Sequence, residues 1–326
     1  MEEGHLPVMV EEVMAALSPV PGSFQIDATV GGGGHALRIL EASTPGGRLL
    51  GLDADQAAIA RTRQRLERFG DRAILRQANF EQLMQVASET GADLVDGVFF
   101  DLGLSSQQLA DADRSFSFRA EGPLDMRFDT SRGRPAHELL EDLDERELSD
   151  LLRRYGEEPH ARRISAAIVA QRGGALLRTG RQLAELVERS VPSHRHVRKD
   201  VHGGSRPDGR RRIHPATRVF QALRIAVNRE LETLPEALAA AVTLLRPEGR
   251  LAVISYHSLE DRIVKRFVTT ERRGCVCPPA FPVCVCGRAA RLSPVGPQPQ
   301  RPSEAEVSAN PRSRSAHLRV ARRLAA

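Results

Sequence analysis

The chain has 326 residues, 41% of them hydrophobic, which is enough to build two packed domains. No run approaches the roughly 18 uninterrupted apolar residues of a membrane helix. Residues 1–5 are acidic and lack the basic, then apolar, start of a secretory leader, so a cytoplasmic protein is expected. The net charge of +5 is modest but concentrated. Residues 194–218 carry eight cationic side chains against Asp200 and Asp208, and residues 288–323 carry eight arginines against Glu304 and Glu306. Each stretch suits either a solvated loop or a phosphate backbone.

In chain order, the first 110 residues alternate strands and helices. Residues 24–28 form a short apolar run that ends in a glycine-rich turn, and a helix is predicted over 35–42, stopped by Pro45, Gly46 and Gly47. A buried strand follows at 49–52, then a helix over 53–69 with Asp55 near its cap and Gly70 past its end. Strands at 73–77 and 98–100 complete a pattern that implies a parallel sheet covered on both faces. From 110 to 213 the sequence reads as helices (139–155, 162–172, 181–189) and loops without a strand. The alternation resumes with a helix over 216–234, a break at Pro235, and a second helix over 236–245. A turn at 247–250, a strand at 251–255, a helix at 259–270, a proline-rich stretch and an edge strand at 316–322 close the chain. The layout is an α/β core of residues 1–110 and 214–326, interrupted by a helical insertion of 111–213.

Asp27-Ala-Thr-Val-Gly31-Gly32-Gly33-Gly34-His35 leaves the first strand and opens a helix. Glycines there permit positive φ and close approach of a ligand, and the helix start offers free N–H groups to an anion. Asp53 ends the next strand, placed to accept from ribose hydroxyls. Loop and aspartate together indicate a nucleoside cofactor. Gly31-x-Gly33-x-x-Ala36 also satisfies the dinucleotide fingerprint, so two cofactors stay open. Asp27 favours S-adenosylmethionine by suiting an ammonium group, and His35 adds bulk where a pyrophosphate would lie.

Asn79-Phe80 follows the third strand, where Phe80 either flanks an adenine or packs in the core. Asp101-Leu-Gly-Leu-Ser105-Ser106-Gln-Gln108 and Ser255-Tyr256-His257-Ser258-Leu-Glu260-Asp261 leave later strands at the same carboxyl edge, where open α/β sheets bind ligands. Tyr256 is a candidate platform for a stacked base. As plain structure, Ser258 would cap the next helix and Asp261 complement its dipole. Cys275-x-Cys277 and Cys284-x-Cys286 are spaced more tightly than most zinc ligands. They are read first as reduced thiols without a metal, with a structural zinc site as the alternative and redox pairing last.

These motifs together resemble one family nearly end to end, the bacterial 16S rRNA cytosine-N4 methyltransferases known as RsmH or MraW. The similarity includes His5-x-Pro7-Val8, the loop of residues 27–35, Asp53-x-Asp55, Asn79-Phe80 and the segment from Asp101 to Leu109. It continues through Arg114-x-Phe116-Ser117-Phe118, Gly122-Pro123-Leu124-Asp125-Met126-Arg127 and Tyr155-Gly156-Glu157-Glu158. His214-Pro215-Ala216-Thr217-Arg218, the segment from Ser255 to Arg262, and Asn310-Pro311-Arg312-Ser313-Arg314 complete it.

The resemblance implies a class I (Rossmann-like) methyltransferase core with a helical insertion domain that helps bind rRNA. It implies S-adenosylmethionine as cofactor and transfer of its methyl group to the exocyclic amine of a cytidine in the decoding region. The implied partner is 16S rRNA in the small ribosomal subunit, without a membrane; a homodimer is a further expectation. Gly33, Gly34 and His35 would hold the methionine end, Asp53 the ribose, and Phe80, Asp101 and Gln108 the rest of the cofactor. The stretch 194–212 is longer and more basic than the family pattern. The cytosine amine is a poor nucleophile, so an acceptor for its proton is needed. Asp101, Ser105 and His257 are the candidates, and no catalytic metal is expected.

Overall fold

A computed structural model of the chain describes residues 7–172, 177–191, 214–278 and 281–325. His5 and the basic stretch 194–212 lie outside the described residues. The chain divides into two compact units, Met1–Ser105 with Leu231–Ala326, and Ser106–Glu230.

The first unit holds a seven-stranded sheet. Its strands are β1 (Phe24–Asp27), β2 (Arg48–Asp53), β3 (Ala73–Gln77), β4 (Val95–Asp101), β5 (Leu245–Ser255), β6 (Leu292–Pro294) and β7 (His317–Arg323). Their spatial order is β3-β2-β1-β4-β5-β7-β6. The first five are parallel, and β7 runs antiparallel between β5 and β6. Helices α1 (Val10–Leu17), α2 (Gly34–Ala42), α3 (Gln56–Leu66) and α4 (Leu83–Thr90) lie between or before the early strands.

Successive strand residues point to opposite faces, and the core divides accordingly. Leu50, Leu52, Val98, Phe100, Leu251 and Val253 share one cluster with Leu83 and Val86 of α4. Leu49, Phe99, Ala252 and Ile254 share the other with Val13, Leu17, Ile39 and Ile59 of α1, α2 and α3. A sheet buried on both sides needs continuous apolar strands, which is why β4 reads Val-Phe-Phe at 98–100 without alternation.

The second unit is helical: α5 (Ser106–Ala110), α6 (Ala136–Asp142), α7 (Glu145–Gly156), α8 (Ala161–Gln171), α9 (Gly180–Ser190) and α10 (Ala216–Asn228). Helix α7 packs on α8 and α10. A Cβ at Gly156 would stand 2.6 Å from the Arg218 carbonyl oxygen, so the close approach of α7 to α10 requires glycine there. Several family-like residues build this unit. Arg127 forks onto both Asp125 oxygens at 2.8 and 2.7 Å, and the Asn228 amide donates to Met126 O and accepts from Phe128 N, each at 2.8 Å.

The remaining helices are α11 (Glu230–Leu244), α12 (Ser258–Arg273) and α13 (Glu304–Ala309). Several boundaries differ from the sequence reading. The helix expected over 139–155 is two helices, because Asp144 caps α7 by accepting from Glu147 N. The break expected at Pro235 falls at Arg229, whose φ of 53° ends α10, while Pro235 sits inside α11. Asn228 ties the end of α10 to the 126–128 loop, so α10 belongs with the helical unit and that unit closes at Glu230, not at 213. The turn expected at 247–250 is a bulge in β5, where the register steps from Val95↔Leu245 to Gly97↔Arg250. The strand expected at the sheet edge is β7, which is paired on both sides. The edge is instead the three-residue β6, which ends in Pro294, a residue that suits an edge strand because it lacks an N–H.

Candidate cofactor and active site

Five parallel strands bring their carboxyl ends to one edge. Strand order reverses between β1 and β4, and the loops after Asp27 and Asp101 leave from that switch point, where open α/β sheets form a crevice.

The glycine loop is fixed from below. Asp53 accepts from Gly31 N through Oδ2 and from Asp55 N through Oδ1, both at 2.9 Å. Asp55 caps α3 by accepting from Ala57 N, and Thr62 of that helix donates to Gly31 O at 2.7 Å. Gly31 and Gly33 have φ of 52° and 75°, and a Cβ on Gly33 would stand 2.9 Å from the Thr62 methyl. A Cβ on Gly34 would stand 2.9 Å from the Pro7 ring. Conformation and space together therefore require glycine at 33, and space requires it at 34. The free N–H groups of α2 begin there.

Three carboxylates line the crevice. Asp27 is buried, accepts from Thr29 N at 3.2 Å, and is pushed up to about 8, first by burial and then by the nearby charges of Asp101 and Asp53. Burial also lifts Asp53 to about 6, against its two backbone hydrogen bonds and the nearby Arg61. Asp101 receives the Tyr256 hydroxyl on Oδ1 at 2.8 Å, and its own N–H donates to Thr29 Oγ1 at 2.6 Å. Burial first, then the Asp101 charge, holds the Tyr256 phenol well above its ordinary value, so it stays a donor.

His35 is buried edge-on to Phe99, so its ring does not fill the loop mouth as the sequence reading supposed. Burial lowers it to about 4, so the ring is neutral. The 2.9 Å contact of Nε2 with Val8 O assigns the proton to Nε2, which donates. Nδ1 then presents a lone pair 3.7 Å from Asp101 Oδ2, too far for a hydrogen bond.

The structure brings together Gly33, Gly34, His35, Asp53 and Asp101 from three chain segments. Phe80 is half-buried on a short turn capped by Asn79, its ring edge-on to Phe100 at 6.2 Å. Ser105 is half-buried at the end of the loop after β4, whereas Gln108 is buried in α5 of the second unit. His257, not Ser258, is the N-cap of α12, and its ring lies against Glu260 with 3.0 Å between Nε2 and Oε1. One candidate has a different role in the structure, and one contributor is not legible in the sequence. Tyr256 was read as a stacking platform but serves Asp101 as a donor. Arg61, under two turns past Asp55 in α3, has Nε and Nη2 buried without a partner and attracts Asp53. The four cysteines have every Sγ within 4.8 Å of the others, beyond the far end of α12.

The acidic crevice decides between the two cofactors left open above. Carboxyls raised first by burial, and in Asp27 also by the Asp101 and Asp53 charges, would be opposed further by a pyrophosphate and relieved by an ammonium and a sulfonium. Sheet order, the antiparallel seventh strand and this cationic-ligand crevice define a class I methyltransferase. The MraW methylase family matches residues 2–324. The chain is 52% identical over 321 residues to "Ribosomal RNA small subunit methyltransferase H" of Thermomicrobium roseum, covering 98% of this chain and 94% of that one. Proteins of the same name from Syntrophotalea carbinolica and Heliobacterium mobile are 49% and 46% identical, with 98% or more of each chain covered. The chain belongs to the MraW methylase family; it is a methyltransferase, and S-adenosylmethionine is its methyl donor. Among the described residues no helix is long and apolar enough to cross a membrane.

Replacing Asp53 with alanine is expected to weaken S-adenosylmethionine binding by about 1.5–3 kcal/mol, tenfold or more in Kd. Each carboxylate oxygen has lone pairs beyond the one given to Gly31 or Asp55, so the ribose hydroxyls can be accepted as well. Calorimetry on a variant with unchanged circular dichroism measures this, and an unchanged Kd would remove Asp53 from the cofactor site.

Proposed function

We propose that the protein methylates the exocyclic N4 of a cytidine in the decoding region of 16S rRNA, acting in the cytoplasm on the small ribosomal subunit. The observation that carries this reading is the Asp101 carboxylate, held by Tyr256 at the switch point between β1 and β4. The names of the relatives agree with it. The cofactor supplies an electrophilic methyl group. What remains for the protein is to hold a weakly nucleophilic amine in line and accept its proton.

In this reading Gly33, Gly34 and the N–H of His35 receive the methionine end, Asp53 the ribose, and Phe80 the adenine. Asp101 accepts from the cytosine amine, and Tyr256 fixes the carboxylate rotamer and keeps it from turning away. The lone pair on His35 Nδ1 offers a second acceptor beside Asp101 Oδ2. Ser105 borders the same loop. The helical unit, with its basic stretch 194–212, supplies rRNA recognition. An unstacked base needs an aromatic or guanidinium face. Within that unit Phe118 stacks on His214 at 4.2 Å, with exposed Arg119 beside it.

Incubation with methyl-labelled donor and immature small subunits, then digestion to nucleosides, tests the reading. The label is expected in N4-methylcytidine. Label in a ribose hydroxyl or at ring carbon 5 would overturn it.

A further inference from the structure

We propose that Cys275, Cys277, Cys284 and Cys286 form a structural zinc site that folds the segment between α12 and β6. The four Sγ atoms lie within 4.8 Å of one another, with 3.5 Å between Cys284 and Cys286 and 3.9 Å between Cys286 and Cys275. A tetrahedron of thiolates about 2.3 Å from a zinc ion has edges of about 3.8 Å. A disulfide needs about 2.05 Å, so the spacing is that of ligands around one ion and not of oxidised pairs. The tight Cys-x-Cys spacing, which argued against zinc in the sequence, is compensated by the return of the chain. Residues 275–277 and 284–286 approach each other, and Val285 N donates to Cys277 Sγ at 3.4 Å. Such an N–H holds negative charge on sulfur and orients the ligand.

Among the described residues, nothing apolar holds this segment. Its large side chains face solvent: Val276, Phe281, Val283 and Val285 are 49, 53, 70 and 73% exposed. Among the described residues, the segment is fastened to α12 at its base. Glu271, buried at the end of α12, accepts from Arg288 at 2.9 Å and Arg291 at 2.5 Å. Arg291 N also donates to Glu271 O. The tip therefore depends on the thiols for its cross-link, and metal ligation supplies one without oxidation.

The placement makes the site structural. Helix α12 starts at the carboxyl end of β5 and spans 16 residues, about 24 Å, before the first cysteine. The thiols thus stand at the opposite edge of the sheet from the cofactor loop.

The test uses the full chain, purified anaerobically without added metal. Elemental analysis is expected to give one zinc per chain, and exchange with cobalt(II) the intense visible bands of tetrahedral thiolate coordination. A Cys284→Ser, Cys286→Ser variant should lose the metal and melt earlier, with S-adenosylmethionine affinity within about twofold of the parent. Should that variant not fold, the metal content and cobalt spectrum of the parent chain still decide. Metal-free protein that takes up no cobalt, or iron in place of zinc, would overturn the proposal.

Discussion

Asp101→Asn is expected to lower the single-turnover rate of methyl transfer by about a hundredfold or more, the usual contribution of a positioned proton acceptor. Asparagine keeps an oxygen for the Tyr256 hydroxyl, so loop geometry is retained while the basic site is lost. Labelled donor on immature small subunits gives the rate, and calorimetry gives the donor's Kd, which separates chemistry from binding. Tyr256→Phe should cause a smaller loss in the same step, since it frees the carboxylate without removing it. A rate for Asp101→Asn within about threefold of the parent would take the proton acceptor elsewhere, to His35 Nδ1 first.

The second large effect is on Asp27, and it has opposite signs for stability and for binding. Its carboxyl is raised to about 8 in the ligand-free fold, above the unfolded value of 3.8. The contribution of this group to stability is therefore fully present below about pH 4. It drains away as pH rises to about 8, because the unfolded chain releases a proton that the fold retains. The full shift sets an upper bound of about 6 kcal/mol, and about 1–3 kcal/mol should remain after the site relaxes. Asp27→Asn keeps the acceptor for Thr29 N and removes the titration. Ligand-free Asp27→Asn should melt a few degrees above the parent at pH 8, and the difference should vanish near pH 4. The same variant should bind S-adenosylmethionine about tenfold more weakly or worse, since a cation loses its charged partner. Equal melting temperatures at pH 8 would show that Asp27 carries no strain, and retained affinity would show that it faces no cation.

Much of this was legible in the chain before its structure. The glycine loop, Asp53 and the parallel strands announce themselves because φ, spacing and apolar runs are local properties. Strand β3 was placed to the residue. Less local features were not legible. Asp101 and Tyr256 are 155 residues apart, and nothing in either segment says that hydroxyl meets carboxylate. His257 looked like a free imidazole because a histidine N-cap, completed by Glu260, is a less familiar cap than the serine that follows it. Proline in the 294–302 stretch signalled a loop and hid β6. The cysteine pairs were judged by spacing within each pair, whereas the distance that matters runs between pairs.

The antiparallel place of β7 has a consequence for assembly. Strand β5 is flanked by β4 on one side and by β7 on the other, so the sheet is open along β5 until residue 323 has been added. The helical unit, by contrast, is complete once Glu230 is made. During synthesis the middle of the protein can therefore reach its fold while the half-sheet of β1 to β4 waits for both β5 and its cover. A chain that stops after Ala316 would keep every residue of the cofactor crevice yet leave the long apolar edge of β5 without a partner. Such an edge pairs with the next chain it meets, so loss of the last few residues should show up as aggregation well before it shows up as a weaker enzyme.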